Sequence, residues 1–183
     1  MEDVREVYTR PYDPQRPQVC VDETSKQLVA ETREPIAATP GQPARVDYEY
    51  ERQGTANLFM VFEPLAGRRQ VKVTERRTAV DFAHLLREVS DKQYPQAATI
   101  VLVMDNLNTH GIGSLYVAFD PETARALAAR LEIHYTPKHG SWLNMAELEF
   151  SVLSRQCLDR RIPDAATLLR ELRAYEARRN AAK

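Results

Sequence analysis

Ile100-Val101-Leu102-Val103-Met104-Asp105-Asn106 is the stretch on which the fold turns. Five apolar residues in a row, bounded by polar turn residues, predict a strand covered on both faces, at the centre of a sheet. The run stops on a carboxylate, which is costly to desolvate there unless a cation or hydrogen-bond donors compensate it. A second strand of the same kind, Gln18–Thr24 (QVCVDET), carries Asp22 near its end. Laid side by side, the two strands bring both carboxylates to one edge of the sheet, where like charges repel. A divalent cation resolves that repulsion, and hard oxygen ligands suit Mg²⁺ or Mn²⁺. Taken singly, a strand-end aspartate more commonly caps a turn or the next helix, so the pair alone leaves both roles open.

Working outward, the first half of the chain is strand-forming. Ala56–Phe62 (ANLFMVF) is apolar and aromatic, a buried strand; Gln70–Thr74 (QVKVT) alternates at period two, a half-buried one. Pro64 and Gly67 mark the turn between them, and residues 35–44 form a loop rich in Pro and Gly. Residues 1–17, punctuated by Pro11, Pro14 and Pro17, are expected to be an extended lead-in to a domain spanning 18–183. After Thr74 the period changes. Thr78 is placed to cap a helix over Ala79–Lys92, whose apolar face is Val80, Phe82, Ala83, Leu85, Leu86 and Val89. Asp120 caps an alanine-rich helix over Pro121–Leu131, and Ile133–Tyr135 is a short strand. Two further helices follow a loop at Lys138–Ser141: Trp142–Leu158 and the arginine-rich Ala165–Ala182. Strands first and strand–helix alternation afterwards predict an α/β fold. Its mixed five-stranded sheet has three antiparallel strands, then two parallel ones, flanked by helices.

The helix after the loop supplies a third carboxylate. Asn144, Glu147, Ser151 and Ser154 recur at spacings of three and four, one polar stripe of a helix. Glu149, two residues from Glu147, lies about 200° away around the axis and cannot share that face. If this helix meets the two aspartates, Glu147 is the residue that reaches them; a plainly solvated stripe is the alternative.

Bulk composition sets the frame. Of 183 residues, 43% are hydrophobic and 28% charged, ordinary for a globular chain. No run approaches the roughly 20 apolar residues of a membrane span, and the charged N-terminus lacks the apolar core of a secretory signal. Cys20 and Cys157 have no metal-ligand spacing, which predicts a reduced, cytosolic setting. The formal net charge of −1 counts against a strongly basic nucleic-acid binder. Its distribution answers the objection in part: residues 155–183 hold eight Lys and Arg against four Asp and Glu.

Three segments in order, VCVDETSK around Asp22, IVLVMDNLNTH around Asp105 and YTPKHGSWLNMAELEFSVLSRQ around Glu147, resemble the mariner-like bacterial insertion-sequence transposases, the DDE superfamily endonucleases. The similarity covers roughly residues 18–180 and lies in the joint occurrence of the three. It implies an RNase H-like fold, with catalytic, metal-binding Asp22 on the first strand, Asp105 after the fourth and Glu147 on a later helix. The implied chemistry is cleavage and joining of DNA strands at a pair of Mg²⁺ or Mn²⁺ ions. Asp22 would bridge both ions, with Asp105 on one and Glu147 on the other. The implied partners are transposon-end and target DNA, bound by a homodimer in the bacterial cytoplasm and nucleoid, with no membrane. Forty-two positions separate Asp105 from Glu147, more than in many such relatives, and residues 111–121 could supply the excess.

Around that triad, Asn106, His110 and Asn144 match positions that would orient ligands or phosphates. Lys138, His139, Arg155, Arg160 and Arg161 are candidate DNA-phosphate contacts. For His110, Lys138 and His139 an ordinary loop role stands beside the functional one; Trp142 could stack on a base or pack at the start of its helix. A ribonuclease H or junction resolvase would share the fold, but the SWLNMAE string favours a transposase. The remaining alternative is a truncated, inactive transposase remnant that binds DNA or a partner, since family members usually carry an N-terminal helix-turn-helix and continue past the arginine-rich helix.

Overall fold

Alternation at period two sorts the sheet residues of the computed structural model, which describes residues 1–106 and 111–182, onto two faces. The strands are β1 (Gln18–Glu31), β2 (Tyr50–Glu63), β3 (Arg68–Thr74), β4 (Ile100–Met104) and β5 (Leu131–Tyr135), in the order β3-β2-β1-β4-β5. β1, β2 and β3 pair antiparallel, while β4 runs parallel to both β1 and β5. This is the mixed sheet the sequence predicts.

Both faces of the sheet are covered. Val19, Val21, Phe59, Val61, Ile100, Leu102 and Met104 pack under three helices: α2 (Ala79–Glu88), α3 (Gly113–Ala118) and α4 (Pro121–Ala129). Cys20, Leu58, Met60, Val101 and Val103 face α1 (Glu2–Thr9), α5 (Met145–Leu153) and α6 (Ala165–Ala182). All five residues of β4 are buried, as expected of a strand between two helical layers.

The cap signals read in the sequence operate. Thr78 accepts from the Asp81 N–H while the Asp81 carboxylate accepts from the Thr78 N–H, a reciprocal capping box. Asp120 accepts from the Thr123 N–H, with Pro121 in the first turn. Beyond Glu88 the α2 rod continues as a wider turn of π type over Val89–Gln93. Residues 111–121 fold partly as α3, whose Leu115 is fully buried among the α2 residues.

Two expectations need correction. Residues 1–17 are not an extended lead-in: Glu2–Thr9 is a helix, and its Val4 and Val7 are fully buried in the core. The prolines all follow the helix, where they cannot break it, and Val4, Val7 and Tyr8 stand at helical spacing behind the acidic first turn. The other correction is strand length. β1 runs seven residues past Thr24, and β2 begins six residues before Ala56. The added half of β2 is solvent-exposed, and that of β1 buries only Leu28 and is otherwise polar or half-covered, so no apolar period marks them and cross-strand pairing defines them. Among the described residues no helix is long and apolar enough to cross a membrane.

Candidate active site

The register of one parallel pair sets up the site. β1 and β4 align Gln18 with Val101, Val19 with Leu102 and Cys20 with Val103. The same offset carried two residues on makes Asp22 level with Asp105. Since side chains alternate, both carboxylates belong to the face of Cys20 and Val103, the face under α5.

Asn144 fastens the third element. It is 1% exposed and caps α5, its Oδ1 accepting from the Ala146 N–H at 3.1 Å. Its Nδ2 donates to the Val21 carbonyl at 2.9 Å, the peptide group next to Asp22. The helix that carries Glu147 in its first turn is thereby tied to the strand that carries Asp22. Ala146, Phe150 and Leu153 bury the neighbouring side of α5, and Glu147 stays exposed.

Electrostatics register the convergence. Burial pushes the Asp22 carboxyl up to about 7, and the nearby charges of Asp105, Glu23 and Glu147 add to the rise; the Glu23 N–H, donating at 2.8 Å, opposes it. Among the described residues no Lys, Arg or His forms an ion pair with Asp22. Nor are any three His, Cys, Asp or Glu side chains among them gathered closely enough to hold a metal ion. The donor chemistry nevertheless fits a hard divalent cation: carboxylate oxygens on one sheet face, one of them pushed up to about 7 by burial and by the like charges near it.

A cleft of about 500 Å³ opens beside Asp105, lined by Asn106, Thr136, Pro137, Lys138, His139 and Ser141. Its floor is fixed by the Thr136 N–H donating to the Met104 carbonyl at 2.9 Å, an extension of the β4–β5 pairing. Pro137–Gly140 is a tight turn closed by the Gly140 N–H on the Pro137 carbonyl at 2.8 Å. His139 takes φ 63°, left-handed for a residue with a side chain, a conformation His tolerates better than most. A Cβ on Gly140 would stand 2.6 Å from the Pro137 ring, so only glycine fits there. Lys138 and His139 are exposed at the rim of this cleft, and Asn106 is exposed beside Asp105.

Other expected site residues lie elsewhere. His110 is outside the described residues. Arg161 pairs with Glu31 and donates to the Glu49 carbonyl at 2.9 Å, holding the long β1–β2 extension to the segment after α5. Arg160 pairs with Glu171 on α6. Arg155 donates to the Ser151 carbonyl at 3.3 Å and is exposed.

Glu149, expected on a face of α5 apart from Glu147, is 5% exposed there, and its partners were not legible in the sequence. It meets Arg69 at 2.8 Å, Arg179 at 3.5 Å and the Tyr175 hydroxyl at 2.7 Å. The sequence reading missed Tyr8 of α1, whose hydroxyl donates to the Leu143 carbonyl at 2.7 Å, below the start of α5.

The model of the DDE superfamily endonucleases matches residues 17–169, most of the chain, including all three carboxylates. The chain belongs to this family. Among solved structures, the DDE endonuclease resembles a strand transfer complex of the Mos1 transposase, with TM-score 0.65 and 15% identity over 95% of this chain and 50% of that one. It also resembles a Mos1 mariner paired-end complex with Mn, with TM-score 0.63 and 17% identity over 96% and 52%. A Mos1 paired-end complex with the left transposon end gives TM-score 0.62 and 14% identity over 95% and 51%. These likenesses establish the RNase H-like fold; the chain spans about half the length of the Mos1 chains it matches. No curated protein sequence matches it.

Proposed function

We propose that this DDE endonuclease is a transposase catalytic domain that cleaves DNA strands and joins them to a target, with Asp22, Asp105 and Glu147 as its catalytic carboxylates. The observation that supports the reading is the parallel register of β1 and β4, Cys20 against Val103, which continued two residues on would bring Asp22 level with Asp105, together with Asn144 tying the helix of Glu147 to the backbone beside Asp22. When bound, a pair of Mg²⁺ or Mn²⁺ ions would supply Lewis-acid stabilisation of the attacking and departing oxygens of an in-line displacement. Asp22, whose carboxyl feels the charges of both Asp105 and Glu147, would hold the ions together with those two residues. Asp105 and Glu147 flank it from β4 and α5. Asn144 orients Glu147 by fixing the first turn of its helix. Lys138, His139 and Arg155, all exposed, are proposed to hold backbone phosphates, and Asn106 to steer the strand beside Asp105. His110 keeps the orienting role the resemblance implies for it. Arg160 and Arg161 would contact phosphate only by leaving Glu171 and Glu31. The partner in this reading is DNA, transposon ends and target, bound by a homodimer in the bacterial nucleoid.

One observation favours a second reading, a DNA-binding remnant without activity: the carboxylates of the described residues are not drawn into a metal-holding cluster. Nicking of a supercoiled plasmid with Mn²⁺ separates the two, run with the unaltered chain and Asp105→Asn. Metal-dependent nicking lost in the variant is the expected result. Equal nicking by both proteins overturns the assigned site, and DNA binding without nicking by the unaltered chain selects the remnant.

A further inference from the structure

Trp142 is the lone tryptophan of the chain and leaves 59% of its surface in solvent. Exposure of one aromatic ring is ordinary on a protein surface. What is not ordinary is how firmly its backbone is held. Ser141–Leu143 is a single 3₁₀ turn. On one side stands the Gly140 turn, which admits no Cβ; from Gly140 the carbonyl accepts the Leu143 N–H at 3.0 Å. On the other side Leu143 and Asn144 are buried, the Asn144 N–H donates to the Ser141 carbonyl at 2.7 Å, and Tyr8 donates to the Leu143 carbonyl. The turn therefore presents its ring from a fixed platform.

The platform also has a particular address. Ser141 lines the cleft beside Asp105, together with Lys138 and His139. Asn144, two residues after Trp142, caps the helix of Glu147 and bonds the backbone next to Asp22. An exposed aromatic ring one residue from Ser141 and four from Lys138, both of which line the cleft beside Asp105, supplies on one short segment the two elements that hold single-stranded nucleic acid: a cation for the phosphate and a ring for the base. A cut strand end has a terminal base that unstacks at small cost.

We propose that the Trp142 indole is a stacking platform for an unpaired base next to the phosphate being cut or joined, with Lys138 holding the adjoining phosphate. The proposal rests on the transposase reading and adds to it a positioning residue and a ligand class, an unstacked deoxynucleotide. Trp142 touches no reacting atom. It sets where the strand lies.

The single tryptophan makes the test direct. A thymidine 16-mer and a blunt duplex of equal length are each titrated into the full chain in EDTA. Binding is read by anisotropy of a label on the DNA, and stacking by the intrinsic fluorescence of Trp142. Saturation with the single strand quenches the indole and shields it from iodide; the blunt duplex does so far less. Trp142→Ala weakens single-strand binding about 5- to 100-fold, the range for one lost base–aromatic stack, and Trp142→Phe restores most of it. The salt dependence of binding is unchanged in Trp142→Ala, whereas in Lys138→Ala its log–log slope falls by about 0.7, one phosphate contact on a single strand. Binding with no quenching, or a Trp142→Ala variant that binds as tightly, overturns this proposal and leaves the transposase reading standing. Quenching that grows with protein concentration in the absence of DNA overturns it in favour of a second copy of the chain on this surface. Failure of the chain to bind either DNA overturns both. Circular dichroism of the two Trp142 variants checks that the fold persists.

Discussion

Asp22 and Glu132 stand two strands apart in one sheet and are treated in opposite ways. Glu132, on β5, receives Arg10 at 2.6 Å, Arg16, and His134 at 3.0 Å, and its carboxyl is held down at about 2, the bond from Arg10 being the largest cause. Asp22 has neighbours of its own sign and is pushed up to about 7, chiefly by burial. The two glutamates of α5 repeat the contrast: Glu149 is enclosed by two arginines and a tyrosine, while Glu147 is exposed and its charge is felt at Asp22. Where a carboxylate serves the fold, the chain supplies its cation. Asp22, which has no cation among the described residues and feels the charges of Asp105, Glu23 and Glu147, is a carboxylate on which a bound cation would be favoured.

Removing a carboxylate from each class should therefore have opposite consequences. The largest effect is expected for Glu149→Ala, which strands Arg69, itself 5% exposed, beside α5. Chemical denaturation should show a loss of about 3–5 kcal/mol. A change under about 1 kcal/mol would mean that Glu149 is not the structural counter-ion of this helix. Asp22→Asn should do the reverse. Its folded-state pKa lies above that of an unfolded aspartate, so in metal-free buffer the native protein loses stability as pH rises from about 4 to 7. At pH 8 the variant should be more stable than the parent by about 2–4 kcal/mol, near equal at pH 4, and inactive in plasmid nicking. Added Mn²⁺ should raise the melting temperature of the parent at pH 8 and leave that of Asp22→Asn nearly unmoved. A parent whose stability climbs between pH 4 and 7 in metal-free buffer, beyond what its other acids explain, would break the contrast.

Smaller effects sharpen it. Asn144→Ala removes the cap of α5 and the bond to Val21; a stability loss of about 1–2 kcal/mol is expected, with nicking reduced about 10- to 100-fold. Activity falling no further than stability would make Asn144 a cap only. Glu132→Gln is expected to cost about 1 kcal/mol at pH 7, small because its partners are partly in solvent. That cost should fade as pH falls from about 4.5 toward 2, where the parent carboxylate is itself neutralised.

Much of this organisation can be read from the chain. The all-apolar β4 run and the Thr78 and Asp120 caps announce themselves because local chemistry decides them. So does the geometry that separates Glu147 from Glu149 on one helix. The helix α1 escaped because three prolines downstream dominate its neighbourhood, although Val4, Val7 and Tyr8 carry the helical spacing. The distal halves of β1 and β2 carry no apolar alternation: that of β2 is exposed, and that of β1 buries only Leu28. The partners of Arg160 and Arg161 are long-range ion pairs, invisible to any local pattern. Sequence supplied the three carboxylates; the registration of β1 against β4, which makes two of them neighbours, is a property of the folded sheet alone.

That registration has a parity. Slipping β1 by one residue against β4 would leave the sheet paired and greasy on both sides, yet turn Asp22 to the α2 side, away from Glu147. A slip of two would restore the side and misplace the carboxylate by about 6.6 Å along the strand. Insertions or deletions between Gln18 and Asp22, or within the β4 run, should therefore be rarer among working relatives than substitutions at the same places, because the chemistry here is counted in whole residues.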